Sequence, residues 1–148
     1  GIDPGKTGAI VAMDDTGFIM LQDTFATFAA HAKTLRILNI ELACLEKVQA
    51  FPGQGRSSIF AFGANYGGWL SLLEVCEIPY QLITPQKWQK AVLDCKPAKG
   101  QAKDHVWEWA RRRWPQADLL TKKGRRRYEF SDALGLAEYA RKTKAREA

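Results

Sequence analysis

Cysteine is scarce in this chain of 148 residues. Cys44, Cys76 and Cys95 are odd in number and lack metal-type spacing, so no disulfide framework is legible and a reducing cytosol is the simplest setting. Two histidines, His31 and His105, are too few and too scattered to argue for zinc. No apolar run is long enough to span a bilayer, and nothing near the start reads as a signal peptide. Internal repeats and dividing linkers are missing as well, which leaves one domain over 1–148, large enough to bury a proper core. The chain begins at Gly1 inside what should be a strand, so a few apolar residues are expected to precede it. Acidic residues are outnumbered only in one half. Residues 81–148 carry seventeen basic against eight acidic side chains, while 1–80 carry five against eight, for a net charge of +6. Lopsided charge of this kind points to a polyanion, nucleic acid ahead of an anionic membrane. A solvated basic tail is the plainer alternative.

Short apolar runs and the turn residues between them predict antiparallel strands over Thr7–Met13 and Phe18–Thr24, joined through Asp14-Asp15-Thr16-Gly17. With the strand ending at Asp3 they make a meander. A helix is expected from Phe25 to Leu38, then a short apolar strand within Glu41–Val48. Gln49 to Ser57 holds Pro52, Gly53 and Gly55 and reads as a loop. Ser57 or Ser58 is positioned to cap a helix that runs to about Cys76. Pro79–Thr84 reads as the fifth strand, and Pro85 suits the first turn of a helix through Leu93. The basic loop Lys96–Gly100 leads into a helix from Gln101 to Trp114. A second basic loop, Pro115–Arg127, precedes a last helix over Tyr128–Thr143. This order predicts an α/β fold with a five-stranded mixed sheet, in which two strands join the antiparallel meander in parallel through helical crossovers.

Carboxylates mark the candidate site. Asp3 ends the first strand before a Pro-Gly turn, on rigid backbone that suits a metal ligand. A phosphate-binding turn and a plain hairpin remain open on this motif alone. If the first and fourth strands are parallel neighbours, Asp3 and Glu46 both fall at carboxyl ends, where open α/β sheets place their sites. Glu129 and Asp132, three apart, project from one face of the last helix. Two acids so placed repel, and a divalent cation offsets the repulsion. Four converging carboxylates would hold two Mg²⁺ ions, which at about 4 Å separation can drive phosphodiester hydrolysis.

Gly1-Ile2-Asp3-Pro4-Gly5, Leu45-Glu46-Lys47-Val48 and Glu129-Phe130-Ser131-Asp132-Ala133-Leu134-Gly135-Leu136-Ala137 together resemble the RuvC-type Holliday junction resolvases of the RNase H-like superfamily. Phe51-Pro52-Gly53-Gln54-Gly55, Phe62-Gly63-Ala64-Asn65-Tyr66-Gly67-Gly68-Trp69 and Thr84-Pro85-Gln86-Lys87-Trp88 look closer to the phage and chloroplast branches. The resemblance implies an RNase H-like fold and Mg²⁺-dependent nicking of a four-way DNA junction by a homodimer, with Mn²⁺ as a substitute ion. It implies that Asp3, Glu46, Glu129 and Asp132 are catalytic metal ligands, and that Lys103 contacts DNA close to the cut. A further family lysine falls here on Gln89, flanked by Lys87 and Lys90. An aromatic on the loop after the fourth strand would wedge between bases. Strict counting places the bacterial wedge at Gln49, and Phe51 comes two residues later. Gln54, Arg56, Lys99 and Arg125-Arg126-Arg127 complete the expected DNA-binding set, as phosphate contacts that read no sequence. The location implied is cytoplasmic, nucleoid-associated or phage-encoded, or else organellar. Rival readings are an RNase H-like nuclease for flaps, forks or RNA–DNA hybrids, a junction-binding module without activity, and an ATPase-type fold.

Overall fold

Alternation along the strands decides which helices cover which face. In a computed structural model, which describes residues 1–5, 8–24, 26–47 and 55–147, the strands are β1 (Ile2–Asp3), β2 (Ala9–Met13), β3 (Ile19–Thr24), β4 (Ala43–Glu46) and β5 (Tyr80–Ile83). The helices are α1 (Phe28–Leu38), α2 (Arg56–Val75), α3 (Pro85–Val92), α4 (Ala102–Arg113) and α5 (Tyr128–Glu147). Ala9 and Val11 of β2, Cys44 of β4 and Ile83 of β5 pack with α3, α4 and α5. Ile2, Ile10, Ala43 and Leu45 turn the other way and pack with Leu35 of α1 and Trp69, Leu72 and Leu73 of α2. The period of two therefore produces three layers with a core on each side of the sheet.

Strand order is β3-β2-β1-β4-β5. The β1–β2 and β2–β3 pairs are antiparallel, whereas β1–β4 and β4–β5 are parallel. This is the predicted mixed sheet. Register matters most at its centre, where Ile2 pairs with Leu45. One residue further along each strand stand Asp3 and Glu46. Since Ile2 and Leu45 face α1 and α2, the next residues face the α3–α5 layer.

Several helix ends differ from the sequence expectation. Helix α1 starts at Phe28 because the Thr27 side chain accepts a hydrogen bond from the Ala30 amide at 3.1 Å. Neither Ser57 nor Ser58 caps α2. Gly55 holds the N-cap position without a side-chain hydrogen bond, and the helix begins at Arg56. Pro85 opens α3 as expected, with Thr84 as its cap. Helix α5 runs on to Glu147, beyond the expected Thr143.

Helix α5 is the buried spine. From Phe130 to Leu134 and on through Ala137, most of its surface is covered, as a helix packed between a sheet and other helices requires. Gly135 permits its closest approach, because a Cβ there would overlap the ring of Trp88, which is 0% exposed. Glycine in a helix ordinarily costs about 1 kcal/mol relative to alanine. Here overpacking outweighs that gain, at roughly 1–3 kcal/mol. Gly135→Ala is expected to lower stability in chemical denaturation, and a stabilised variant would show that α3 and α5 are not in contact through this ring.

Candidate functional site

Four carboxylates meet at the carboxyl end of the central strands. Asp3 and Glu46 are adjacent across the parallel β1–β4 pair. Helix α5 begins at Tyr128, so Glu129 and Asp132 lie in its first turns, where the helix dipole favours negative charge. All four are half-buried. They act on one another electrostatically. Burial raises the Asp3 carboxyl first of all, and the Glu129 charge adds to it against a restraining hydrogen bond from the Gly5 amide. Burial and then the Asp3 charge push Glu46 up to about 7. Asp132 is raised well above the ordinary range by burial, with Glu46 and Asp3 as the next largest causes.

Among the described residues, cations oppose this, and Arg127 pairs with Glu129 at 3.7 Å. Lys103, exposed in the first turn of α4, lowers Asp3, Glu46 and Asp132 alike. Lys103 and Arg127, the latter shared with Asp118, do not balance four carboxylates. Hard oxygen donors carrying uncompensated negative charge suit a hard divalent cation, so the donor set fits Mg²⁺. Among the described residues, no three His, Cys, Asp or Glu side chains are drawn close enough to enclose an ion. The acids meet at electrostatic range.

Two residues that sequence reasoning left without a role orient this cluster. The Trp88 indole N–H of α3 donates to Glu46 Oε2 at 3.2 Å. The Asn65 side-chain amide of α2 donates to the carbonyls of Pro4 at 2.8 Å and Gly5 at 3.0 Å. The Gly5 amide in turn donates to Asp3 Oδ1 at 3.0 Å. Asn65 therefore ties α2 to the turn that aims Asp3. Both residues lie inside motifs that carry the family resemblance, but nothing local indicates partners 42 and 60 residues away.

The expected DNA-binding residues are distributed more widely. Lys87 and Lys90 are exposed on α3, Lys99 is exposed in the loop before α4, and Arg56 is exposed at the start of α2. Phe51 and Gln54 lie outside the described residues. Arg126 and Arg127 are held in intramolecular pairs. Arg126 bridges Asp104 at 2.6 Å and Glu108 at 3.1 Å, and Arg127 pairs with Asp118 and, at 3.7 Å, with Glu129. Arg125 has no ion-pair partner among the described residues.

The β3-β2-β1-β4-β5 mixed sheet flanked by helices matches the RuvC RNase H-like fold. Among solved structures, T. thermophilus RuvC in complex with a Holliday junction substrate is 20% identical, with a TM-score of 0.67, and the match covers 100% of this chain and 94% of that one. A second Thermus thermophilus RuvC structure is 19% identical, also at 0.67, covering 98% of this chain and 94% of its own. At such identity the likeness is one of fold. No family model matches the sequence, and no curated protein does.

Removing the indole donor from Glu46 should raise its pKa further, because the hydrogen bond favours the charged form. Trp88→Phe is thus expected to shift the Glu46 carboxyl signal upward from about 7 in a ¹³C NMR titration. An unmoved midpoint would mean that the indole does not contact this carboxylate. Asn65→Leu leaves two carbonyls without donors, at about 1 kcal/mol each. It should speed hydrogen exchange at the Gly5 amide, and unchanged protection there would contradict the tie.

Proposed function

We propose that the chain is a Holliday junction resolvase, a Mg²⁺-dependent endodeoxyribonuclease that nicks phosphodiesters at four-way DNA junctions as a homodimer. The observation that supports this reading is the electrostatic coupling of Asp3, Glu46, Glu129 and Asp132 beside Lys103 on a RuvC-type sheet. Cleavage of this kind would leave 5′-phosphate and 3′-hydroxyl ends.

In this reading the four carboxylates hold the metal. A bound pair of Mg²⁺ ions, or Mn²⁺ in their place, would supply an activated water and charge stabilisation at the leaving oxygen. Asp3 and Glu46 stand on strands, so their positions are fixed before substrate arrives. Trp88 and Asn65 hold those two acids in orientation, which preserves the in-line geometry that such displacement needs. Lys103 offsets part of the negative charge that would otherwise repel a phosphate, and places its own cation beside the scissile group. Lys87, Lys90, Lys99 and Arg56 contribute backbone contacts that carry no sequence information. The segment with Phe51 and Gln54, outside the described residues, would supply the aromatic wedge. The exposed first half of α2, where Phe60 is 80% exposed, supports pairing of two copies through that helix. No described helix is long and apolar enough to cross a membrane.

The reading is tested with purified protein on a panel of four-way junctions, flaps, forks, RNA–DNA hybrids and plain duplex. Junctions should be nicked fastest, and only with Mg²⁺ or Mn²⁺. Asp3→Asn or Glu46→Gln should abolish nicking, a loss on the order of a thousandfold or more by comparison with other removals of key charge-stabilising groups, while junction binding survives. Normal cutting by both variants would overturn the assignment. Preference for another substrate would redirect it to a different branched-DNA or hybrid nuclease.

The raised carboxyls also predict a pH signature. Their folded pKa values lie above the unfolded ones, so the folded state retains protons that the unfolded chain releases. Metal-free stability should therefore fall as pH rises from the ordinary carboxylate range through about 7. Added Mg²⁺ should raise the melting temperature above about pH 7 and have little effect near about pH 5, where protons compete for the ligands. A Mg²⁺ response that is flat with pH would argue against these acids as the binding group.

A further inference from the structure

Five cations and no acid occupy residues 119–127. This segment folds back on itself. Leu120 bridges Arg126 in antiparallel fashion, the Thr121 amide donates to the Arg125 carbonyl at 2.8 Å, and the Arg127 amide donates to the Leu119 carbonyl at 3.0 Å. Gly124 turns the tip with φ +73, a conformation open to glycine at little cost. The Thr121 hydroxyl accepts from the Arg125 amide at 3.0 Å, which closes the turn.

The base of this small hairpin is braced on α4. The Trp107 indole N–H donates to the Leu119 carbonyl at 3.0 Å, and the Arg126 guanidinium lies 4.3 Å from the centre of the Trp107 ring while pairing with Asp104 and Glu108. The Tyr128 hydroxyl donates to the same Asp104 at 2.7 Å. Arg126 and Arg127 are thereby committed to holding the hairpin in place. Lys122, Lys123 and Arg125 at the tip are exposed and have no ion-pair partner among the described residues.

Three like charges within four residues repel one another, and a backbone locked in register keeps them together. Multiple phosphates would relieve that repulsion, as they do when cations on a protein displace counterions from nucleic acid. The hairpin also runs directly into the first turn of α5, which carries Glu129, and its brace Asp104 adjoins Lys103 on α4. The tip is therefore mechanically joined to the acid cluster on both sides. We propose that this hairpin is a phosphate grip: Lys122, Lys123 and Arg125 hold the DNA backbone beyond the cut, while Arg126 and Arg127 serve as its struts rather than as DNA contacts. This rests on the resolvase reading above.

The test is the salt dependence of junction binding by the full chain in Ca²⁺, measured by fluorescence anisotropy. Removing one cation that neutralises a phosphate flattens the slope of log affinity against log salt by about one. The Lys122→Gln, Lys123→Gln, Arg125→Gln triple variant should flatten it by about three and weaken binding roughly tenfold or more at moderate salt. A control triple variant, Lys33→Gln, Arg36→Gln, Arg146→Gln, makes the same change in net charge away from the hairpin and should keep the wild-type slope. Melting temperatures of both triple variants, compared with wild type, establish that each is folded. If wild type binds with a steep slope and the hairpin variant matches it, or if the control flattens equally, the grip is overturned and the resolvase reading stands. If wild type binds no junction, both fall.

Discussion

Two carboxylates one step beyond the Ile2–Leu45 pair cannot avoid each other. Neighbouring strands lie about 4.8 Å apart, and the pleat sends both side chains to the same face. Much of the surrounding structure serves to hold the two within electrostatic reach of each other. Helix α5 brings its two acids to the same edge, with Gly135 letting it seat tightly against Trp88. Trp88 then fixes Glu46, and Asn65 reaches from the other layer to fix the turn after Asp3. A carboxylate cluster left to itself would take up protons, which is the direction in which Asp3, Glu46 and Asp132 all move. Bound cations reverse the sign of that environment.

Positive charge is sorted by role. The arginines nearest α5 are absorbed into the frame, Arg126 by Asp104 and Glu108, Arg127 by Asp118 and Glu129. At the far end of the same layer, Arg113 and Arg141 pair with the fully buried Glu138. Such pairs specify how α4 and α5 dock more than they add stability, because desolvation offsets much of their attraction. Lys103, by contrast, acts on Asp3, Glu46 and Asp132 of the acid cluster.

The strands and the sheet topology were legible because burial on two faces writes an alternating or continuous apolar pattern, as in Ala9–Met13 and Ala43–Leu45. Helix α5 was legible for the same reason: Phe130, Ala133, Leu134, Ala137 and Ala140 follow its period, and all are buried. That the four acids come within electrostatic range of one another is consistent with their strand-end and helix spacing, given that β1 and β4 are parallel neighbours. What could not be read were interactions spanning long stretches of chain. The Asn65–Pro4 and Trp88–Glu46 bonds carry no local signature, and the partners that absorb Arg126 lie 22 and 18 residues back along the chain. Ile37 of α1 is 82% exposed, whereas Leu35 and Phe28 of the same helix pack in the core.

The central claim is that these carboxylates are companions of metal, and crystals soaked in Mn²⁺ examine it without any assay of activity. Anomalous scattering should reveal a pair of peaks among Asp3, Glu46, Glu129 and Asp132, with carboxylate oxygens drawn in to about 2.0–2.2 Å, the spacing of a hard cation. Full soaking with no peak there, or a peak that touches none of the β1, β4 and α5 acids, would contradict it.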